Sequence, residues 1–444
     1  MKMINWNSKI KNIFFFIVCF LLLMVFSCFV FDLNGDTIWN YGFSYNIARG
    51  LIPYVDFNMV IGPLYNLFIS IFLNLFGNYL IVFNVINSLM SSLILLVVFN
   101  KIGWKALIIP LCLGILPCIF GYNTFCLLLF ILILVLLDSN SKYKYLYIGI
   151  IIGMIMMTKH NIGIFLMIIN LLLVPDKKGK LVSILGYIIP IIFVTIYLIL
   201  NNALYGYINF CYLGLGSFMD NLKIDIYTFV LLLLVDFWLV RKYLFNKDKK
   251  ILYLLTFQII IFPIFDFYHI FVALLPIIYY YFLSYENKKF LLFWVEVLSI
   301  SFIIINFTLA LKLSFPTFFF KNNFLRYINI STNIDYVNDF CNYVSQKEKE
   351  NKIYLFYGGA YLIRMSLNED NSIYDLINNG NLGKNEDYYL EKMISNCQNK
   401  KCLFILENNH LDSQIDKKFT NYVRKNYYYL ETLPYGNDVY VNYK

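Results

Sequence analysis

The sequence predicts an α-helical polytopic membrane protein of about eleven transmembrane helices, followed by a small extracytoplasmic α/β domain. Three observations carry this. Of 444 residues, 60% are hydrophobic and 19% aromatic while only 14% are charged, well above the apolar share of about half carried by soluble domains. Apolar runs able, or nearly able, to cross about 30 Å of hydrocarbon as helices recur from residue 13 to residue 311. From about Lys312 onward the composition turns to Asn, Lys, Asp and Glu, and no spanning run remains. The expected division is a transmembrane domain over 1–311 and a soluble domain over 312–444.

The runs lie at 13–31, 79–99, 106–120, 122–137, 145–157, 161–174, 181–201, 226–240, 251–264, 270–283 and 290–311. The first follows Lys2, Lys9 and Lys11 but is long for a signal-peptide core and lacks a small-residue cleavage site. It reads as a first span. The stretch 63–76, PLYNLFISIFLNLF, decides the parity of everything after it. If it does not cross, seventeen Lys and Arg fall in inside segments and three (Arg49, Lys159, Lys223) in outside loops before the tail. That is a strong positive-inside bias, so 63–76 is expected to lie along the outer interface or to dip in without crossing. The N-terminus is then cytoplasmic, and the outer face of the cell membrane receives 32–78, 121–123, 158–161, 202–224, 265–269 and the tail.

Within the tail, the runs 352–357, 402–407 and 438–443 read as strands, with amphipathic helices at 336–345, 386–395 and 415–425. The GGAY at 358–361 lacks the spacing and the lysine of a phosphate loop. The net charge of +9 sits in short loops and the tail, where it acts as a topology signal; no nucleic-acid partner is expected. Of nine cysteines, six lie in or near apolar runs as small hydrophobes. Cys397 and Cys402 face an oxidising side on this topology and are a candidate pair, which leaves Cys341 over.

Once sidedness is set, the polar residues near span ends converge on one face. The first outer loop, 32–78, opens with Asp32 and Asp36. The Asn34-Gly35 pair before Asp36 predicts a turn into a helix over 37–49 with Asp36 as its N-cap. A cap is the plainer role; the chemical one is a general base that takes a proton from an attacking hydroxyl. Lys159 and His160 lie in TKHN, a turn between two apolar runs, where membrane-edge charge is costly and tends to mark function. A snorkelling lysine beside an interfacial histidine is the plainer reading there. His269, near Asp266 and Tyr268, is weak alone. Its weight comes from company, because a departing lipid phosphate needs cationic and hydrogen-bonding groups where charge builds up. Glu296 in the last span and the aromatic loop 205–221 each admit a structural and a functional reading.

The motif order IARGLIPYVDFN after an early acid, the proline-led run ending LFGN, the later TKHN and the aromatic DFYH resembles the polytopic GT-C superfamily of glycosyltransferases. That superfamily includes relatives of protein O-mannosyltransferases, the lipid A aminoarabinose transferase and bacterial family 39-like proteins. The resemblance implies an enzyme that takes a sugar from a polyprenyl-phosphate donor and transfers it, with inversion, to an outer-leaflet or cell-surface acceptor, glycan or protein. It implies Asp36 as the base and Lys159, His160 and His269 toward the donor phosphate. Arg49, Tyr54, Asp56 and Asp266 complete the substrate-binding set, with Arg49 either reaching the phosphate or bracing the loop. Many relatives carry two adjacent acids where this chain has Asp36 between Gly35 and Thr37. Either Asp36 acts alone or Asp32 or Asp56 supplies a second carboxylate, which weakens the case for a divalent metal; no metal or other cofactor is expected. The alternative is a transporter or flippase for a lipid-linked glycan. Such a protein should carry charged or broken helices at the midplane, yet the assigned spans hold no Lys or Arg and two acids, Asp236 and Glu296.

Overall fold

The computed structural model describes residues 6–30, 35–114, 116, 118–214, 225–262, 264–265, 267–284, 329–330, 334–375, 382–407, 416–434 and 436–443. The run 290–311 with Glu296, and also Asp32 and Asp266, lie outside them. The other apolar runs carry helices: α1 (Trp6–Cys28), α4 (Leu80–Ile102), α5 (Ile108–Leu113), α6 (Tyr122–Leu137), α7 (Lys144–Met156), α8 (His160–Leu173), α9 (Lys177–Leu200), α11 (Ile226–Asn246), α12 (Lys249–Phe257) and α13 (Phe267–Ser284). Between α1 and α4 lie α2 (Gly35–Ala48) and α3 (Leu64–Phe76), and α10 (Leu204–Ile208) follows α9.

Among the described residues, three helices are both long and apolar enough to cross a membrane: Ser8–Cys28, Leu80–Leu113 and Lys177–Leu200. Helices α3, α6, α7 and α8 hold 13 to 16 residues, which reach about 20–24 Å at about 1.5 Å per residue. The run 106–120 is the clearest departure. Gly103 closes α4 at φ 64°, a 3-10 turn (Gly103–Leu107) follows, and α5 lasts six residues.

Large apolar side chains stay exposed along α9 and α11, Phe193 at 69% and Phe237 at 72% among them, a pattern suited to lipid and costly in water. The buried contacts between helices use small and polar residues instead. Gly149 and Gly153 of α7 meet α9 so closely that a Cβ would sit 2.1 Å from the Ser183 carbonyl oxygen and 2.4 Å from that of Tyr187. Asn170 of α8 donates to Ser183 Oγ at 2.6 Å and accepts from Tyr253 at 2.7 Å. Where lipid is as apolar as leucine, close backbones and interhelical hydrogen bonds hold helices together.

The bundle has two distinct ends. At one, Asp138 pairs with Lys250 at 2.6 Å and Lys101 at 4.0 Å, Lys249 donates to the Leu173 carbonyl at 3.2 Å, and Tyr280 donates to Asp248 at 2.6 Å. These bonds gather the loops that carry many of the basic residues. The other end collects α2, the start of α3, the turns before α6 and α8, and the C-terminal sheet.

That sheet has the order β3-β4-β6-β5, with β3 (Lys352–Phe356) parallel to β4 (Cys402–Leu406) and β6 (Asp438–Val441) antiparallel to β4 and to β5 (Tyr428–Thr432). Helices α14 (Ile334–Lys347), α15 (Ala360–Ser366), α16 (Glu386–Gln398) and α17 (Lys417–Asn426) accompany it. Three strands and three of these helices fall where the apolar alternation put them. Strand β5 does not, because it is an edge strand whose five residues are all exposed, so no buried face imprints an alternation. Cys397 and Cys402 are disulfide-bonded with Cα atoms 5.7 Å apart, and Cys341 is a free thiol. A short parallel pair, β1 (Phe29–Val30) with β2 (Asn329–Ile330), joins the end of α1 to the chain entering the sheet.

Candidate active site

The site begins on α2. The helix starts at Gly35, two residues earlier than the sequence suggests, so Asp36 lies inside its first turn rather than at its cap. An acid there still faces the favourable end of the helix dipole. One turn on, Asn40 donates from Nδ2 to the Asp36 carbonyl at 2.7 Å and accepts the Tyr122 amide at 3.1 Å on Oδ1. This satisfies one of the orphan N–H groups at the start of α6 and fixes α2 against it. The Asp36 charge acts on Cys118, Tyr122 and Tyr268, which come from the turn before α6, its first residue and the start of α13.

Lys159 comes to the same place from the turn before α8. Only 7% exposed, its ammonium donates to Asn123 Oδ1 at 3.0 Å and to the Ile260 carbonyl at 2.6 Å, and it lies 5.5 Å from the centre of the Tyr122 ring. Tyr122 is therefore tied through Asn40 to the Asp36 backbone and through its ring to the Lys159 ammonium. His160, equally buried, packs on the Tyr212 ring at 4.6 Å. Among the described residues its Nδ1 has no hydrogen-bond partner. His269 is buried with its ring 5.0 Å from that of Tyr268.

The first loop is joined to the TKHN turn through its backbone. The Gly62 and Leu64 amides donate to the carbonyls of Thr158 and Met157 at 3.0 and 3.1 Å. A Cβ on Gly62 would stand 2.2 Å from the Met157 oxygen, so only glycine permits this approach. Upstream, Tyr54 adopts φ 68° and donates to the Ile61 carbonyl at 2.5 Å, folding 53–61 onto itself. Helix α10 and the π-turn (Asn209–Leu213) cover that fold. Tyr207 stands edge-on to Tyr54 at 5.3 Å and shares a 3.1 Å hydrogen bond with Tyr212, which leads back to His160.

The structure thus ties the first turn of α2, with Asp36, and the Lys159 ammonium to the start of α6, and links His160 to Tyr54 through the Tyr212 and Tyr207 rings, with His269 beside Tyr268. Two predicted residues lie elsewhere. Arg49, exposed at the end of α2, forms an ion pair with Asp370 and donates to Asn368 Oδ1 at 3.1 Å; it braces the loop. Asp56 is exposed and accepts the Ile52 amide at 2.7 Å, closing its own turn. Asn40, Tyr122 and Asn123 went unnoticed as site residues. Asn40 had a usable signal, one helical turn from Asp36, and Asn123 lay in an outer turn already assigned to this face. Among the described residues no three His, Cys, Asp or Glu side chains gather as a metal site.

The fold is that of ArnT. The chain matches the crystal structure of ArnT from Cupriavidus metallidurans bound to undecaprenyl phosphate with a TM-score of 0.59, 10% identity, and coverage of 97% of this chain and 98% of that one. The apo structure of the same ArnT gives 0.58 at 10% identity, covering 98% of both chains. No family model matches the chain, and no curated protein does. The likeness is one of fold, and it covers nearly the whole length of both chains.

Proposed function

We propose that this chain is a membrane glycosyltransferase that moves a sugar from a polyprenyl-phosphate donor to an acceptor hydroxyl with inversion at the anomeric carbon. The observation that carries the reading is that the first turn of α2, which bears Asp36, and the buried Lys159 ammonium are both tied to Tyr122, the one through Asn40 and the other over its ring, at one end of a helical bundle with the ArnT fold. ArnT binds undecaprenyl phosphate, a lipid anion of the class that a buried ammonium at a membrane edge would attract.

In the proposed step the acceptor oxygen attacks the anomeric carbon as the bond from that carbon to the phosphate oxygen breaks. Asp36 takes the hydroxyl proton. The polyprenyl phosphate leaves with the bonding pair, its charge met by Lys159 and by the His160 and His269 rings. Asn40 holds Asp36 through its backbone carbonyl, while Asn123 and the Ile260 carbonyl aim the ammonium. The proposed orientation places this end of the bundle and the C-terminal sheet outside the cell, a side on which the Cys397–Cys402 disulfide is at home.

Transfer of radiolabelled sugar from a polyprenyl-phosphate donor by the purified protein tests the reading. Asp36→Asn is expected to slow transfer by about 10²–10⁴-fold while the variant folds as the parent does. Undiminished transfer would remove Asp36 as the base.

A further inference from the structure

We propose that Asn46 is a positioning residue for this reaction: its amide locks α2, and with it Asp36, onto the chain that leaves the C-terminal sheet. The inference rests on the glycosyl-transfer reading above. Asn46 Nδ2 donates to the Asn371 carbonyl at 3.2 Å, and its Oδ1 accepts both the Asn371 backbone amide and the Asn371 Nδ2 at 3.1 Å. The two residues are 0% and 1% exposed and stand 325 positions apart. One side-chain amide thus pairs with both polar groups of a distant peptide, as a neighbouring strand would.

Other contacts between the same two segments surround the lock. Arg49 pairs with Asp370, Tyr45 donates to Asn368 at 3.4 Å, and Tyr361 stands edge-on to Phe43. The segment is anchored in turn by Arg364, which bonds Glu369, Glu348 and the Ile353 carbonyl of β3 at 2.7, 2.7 and 3.0 Å. A covalent and hydrogen-bonded path therefore runs from the sheet through Arg364 and Asn371 to Asn46, and along α2 to Asp36. Asparagine gives little to a helix interior by propensity, and an apolar pair would bury this surface equally well. A buried side-chain amide whose nitrogen and oxygen are both engaged by one distant residue adds a fixed register. With Asn40 holding the first turn and Asn46 the last, neither sliding nor rotation of α2 is open to Asp36, and a misplacement of about 1 Å at a reacting group costs about 10²-fold.

The test uses the full-length purified protein with Asn46→Ala, Asn371→Ala and the double variant Asp36→Asn/Asn46→Ala, read by transfer kinetics and by hydrogen exchange over residues 36–48. Asn46→Ala, which removes all three bonds, is expected to lower kcat about tenfold with donor KM within about twofold, and to speed exchange along α2. Asn371→Ala keeps the two backbone bonds and should lose about threefold; it carries both readouts should Asn46→Ala not fold. Because Asn46 acts through Asp36, the double variant should be no slower than Asp36→Asn. Parental exchange over 36–48 in Asn46→Ala, or a double variant slower by the full product of the single losses, would overturn the lock. Parental transfer by Asp36→Asn would overturn the reaction reading instead, and exchange would then decide on the lock alone.

Discussion

The two ends of α2 are built from similar residues and face different partners. At each, an asparagine side chain satisfies the backbone of a distant element: Asn40 takes the Tyr122 amide, Asn46 both polar groups of Asn371. At the last turn the charge pairs locally, Arg49 against Asp370 across an exposed gap. At the first turn the Asp36 backbone, through Asn40, and the buried Lys159 both reach Tyr122, among the ends of helices whose runs are otherwise apolar. Density of polar contacts therefore does not mark the site. What marks it is opposite charge held in the edge of an apolar bundle by groups that aim it.

Four substitutions break or sharpen this contrast. Lys159→Met should slow transfer by about 10²–10³-fold, in the same radiolabel assay, because it removes the cation from the first end and leaves the last turn untouched. Gly62→Val forces a side chain into the Met157 carbonyl and should cost about 3 kcal/mol, seen as a lower Tm in detergent. It separates the backbone seam that brings the first loop to Lys159 from the chemistry itself. Arg49→Ala removes a partly exposed ion pair worth about 0–1 kcal/mol, so both Tm and transfer should stay near parental values.

The smallest effect is one of pH. Burial first, and the adjacent Glu369 second, push the Glu348 carboxyl up from the usual 4.5 to about 7. The unfolded chain then gives up this proton before the folded one does. The contribution of Glu348 to stability is greatest below about pH 4.5 and falls as pH rises to about 7. Glu348→Gln should flatten that fall in thermal melts taken from pH 4.5 to 8, with no change in the pH profile of transfer measured at 25 °C.

Much of the architecture was legible because it is local. Apolar runs gave the helices, and alternation gave β3, β4 and β6, since burial on one side imprints a period on the sequence. Lys159 and His160 were legible as charge where charge is expensive. The boundaries of α2 were less so, since Gly35 is compatible with a turn and with a helical first turn alike. The interruption at Gly103 was missed because apolar content counts span length without registering where the backbone turns. The Asn46–Asn371 lock left no trace at all, as two asparagines separated by 325 residues carry no periodicity. The role of Asp56 in its own turn, accepting the Ile52 amide, was no more legible, since a backbone contact within a loop leaves no pattern in the sequence.

The central claim is that a lipid phosphate is received at the Lys159 ammonium, with Asp36 on the acceptor side of the sugar it carries. A polyprenyl phosphate bearing a photoreactive group beside the phosphate, crosslinked to the purified protein and mapped by mass spectrometry, tests it directly. The account predicts labelling within 118–123 and 157–161 that unlabelled polyprenyl phosphate competes away. Competable labelling confined to 138–144 and 241–250, the basic end of the bundle, would contradict it.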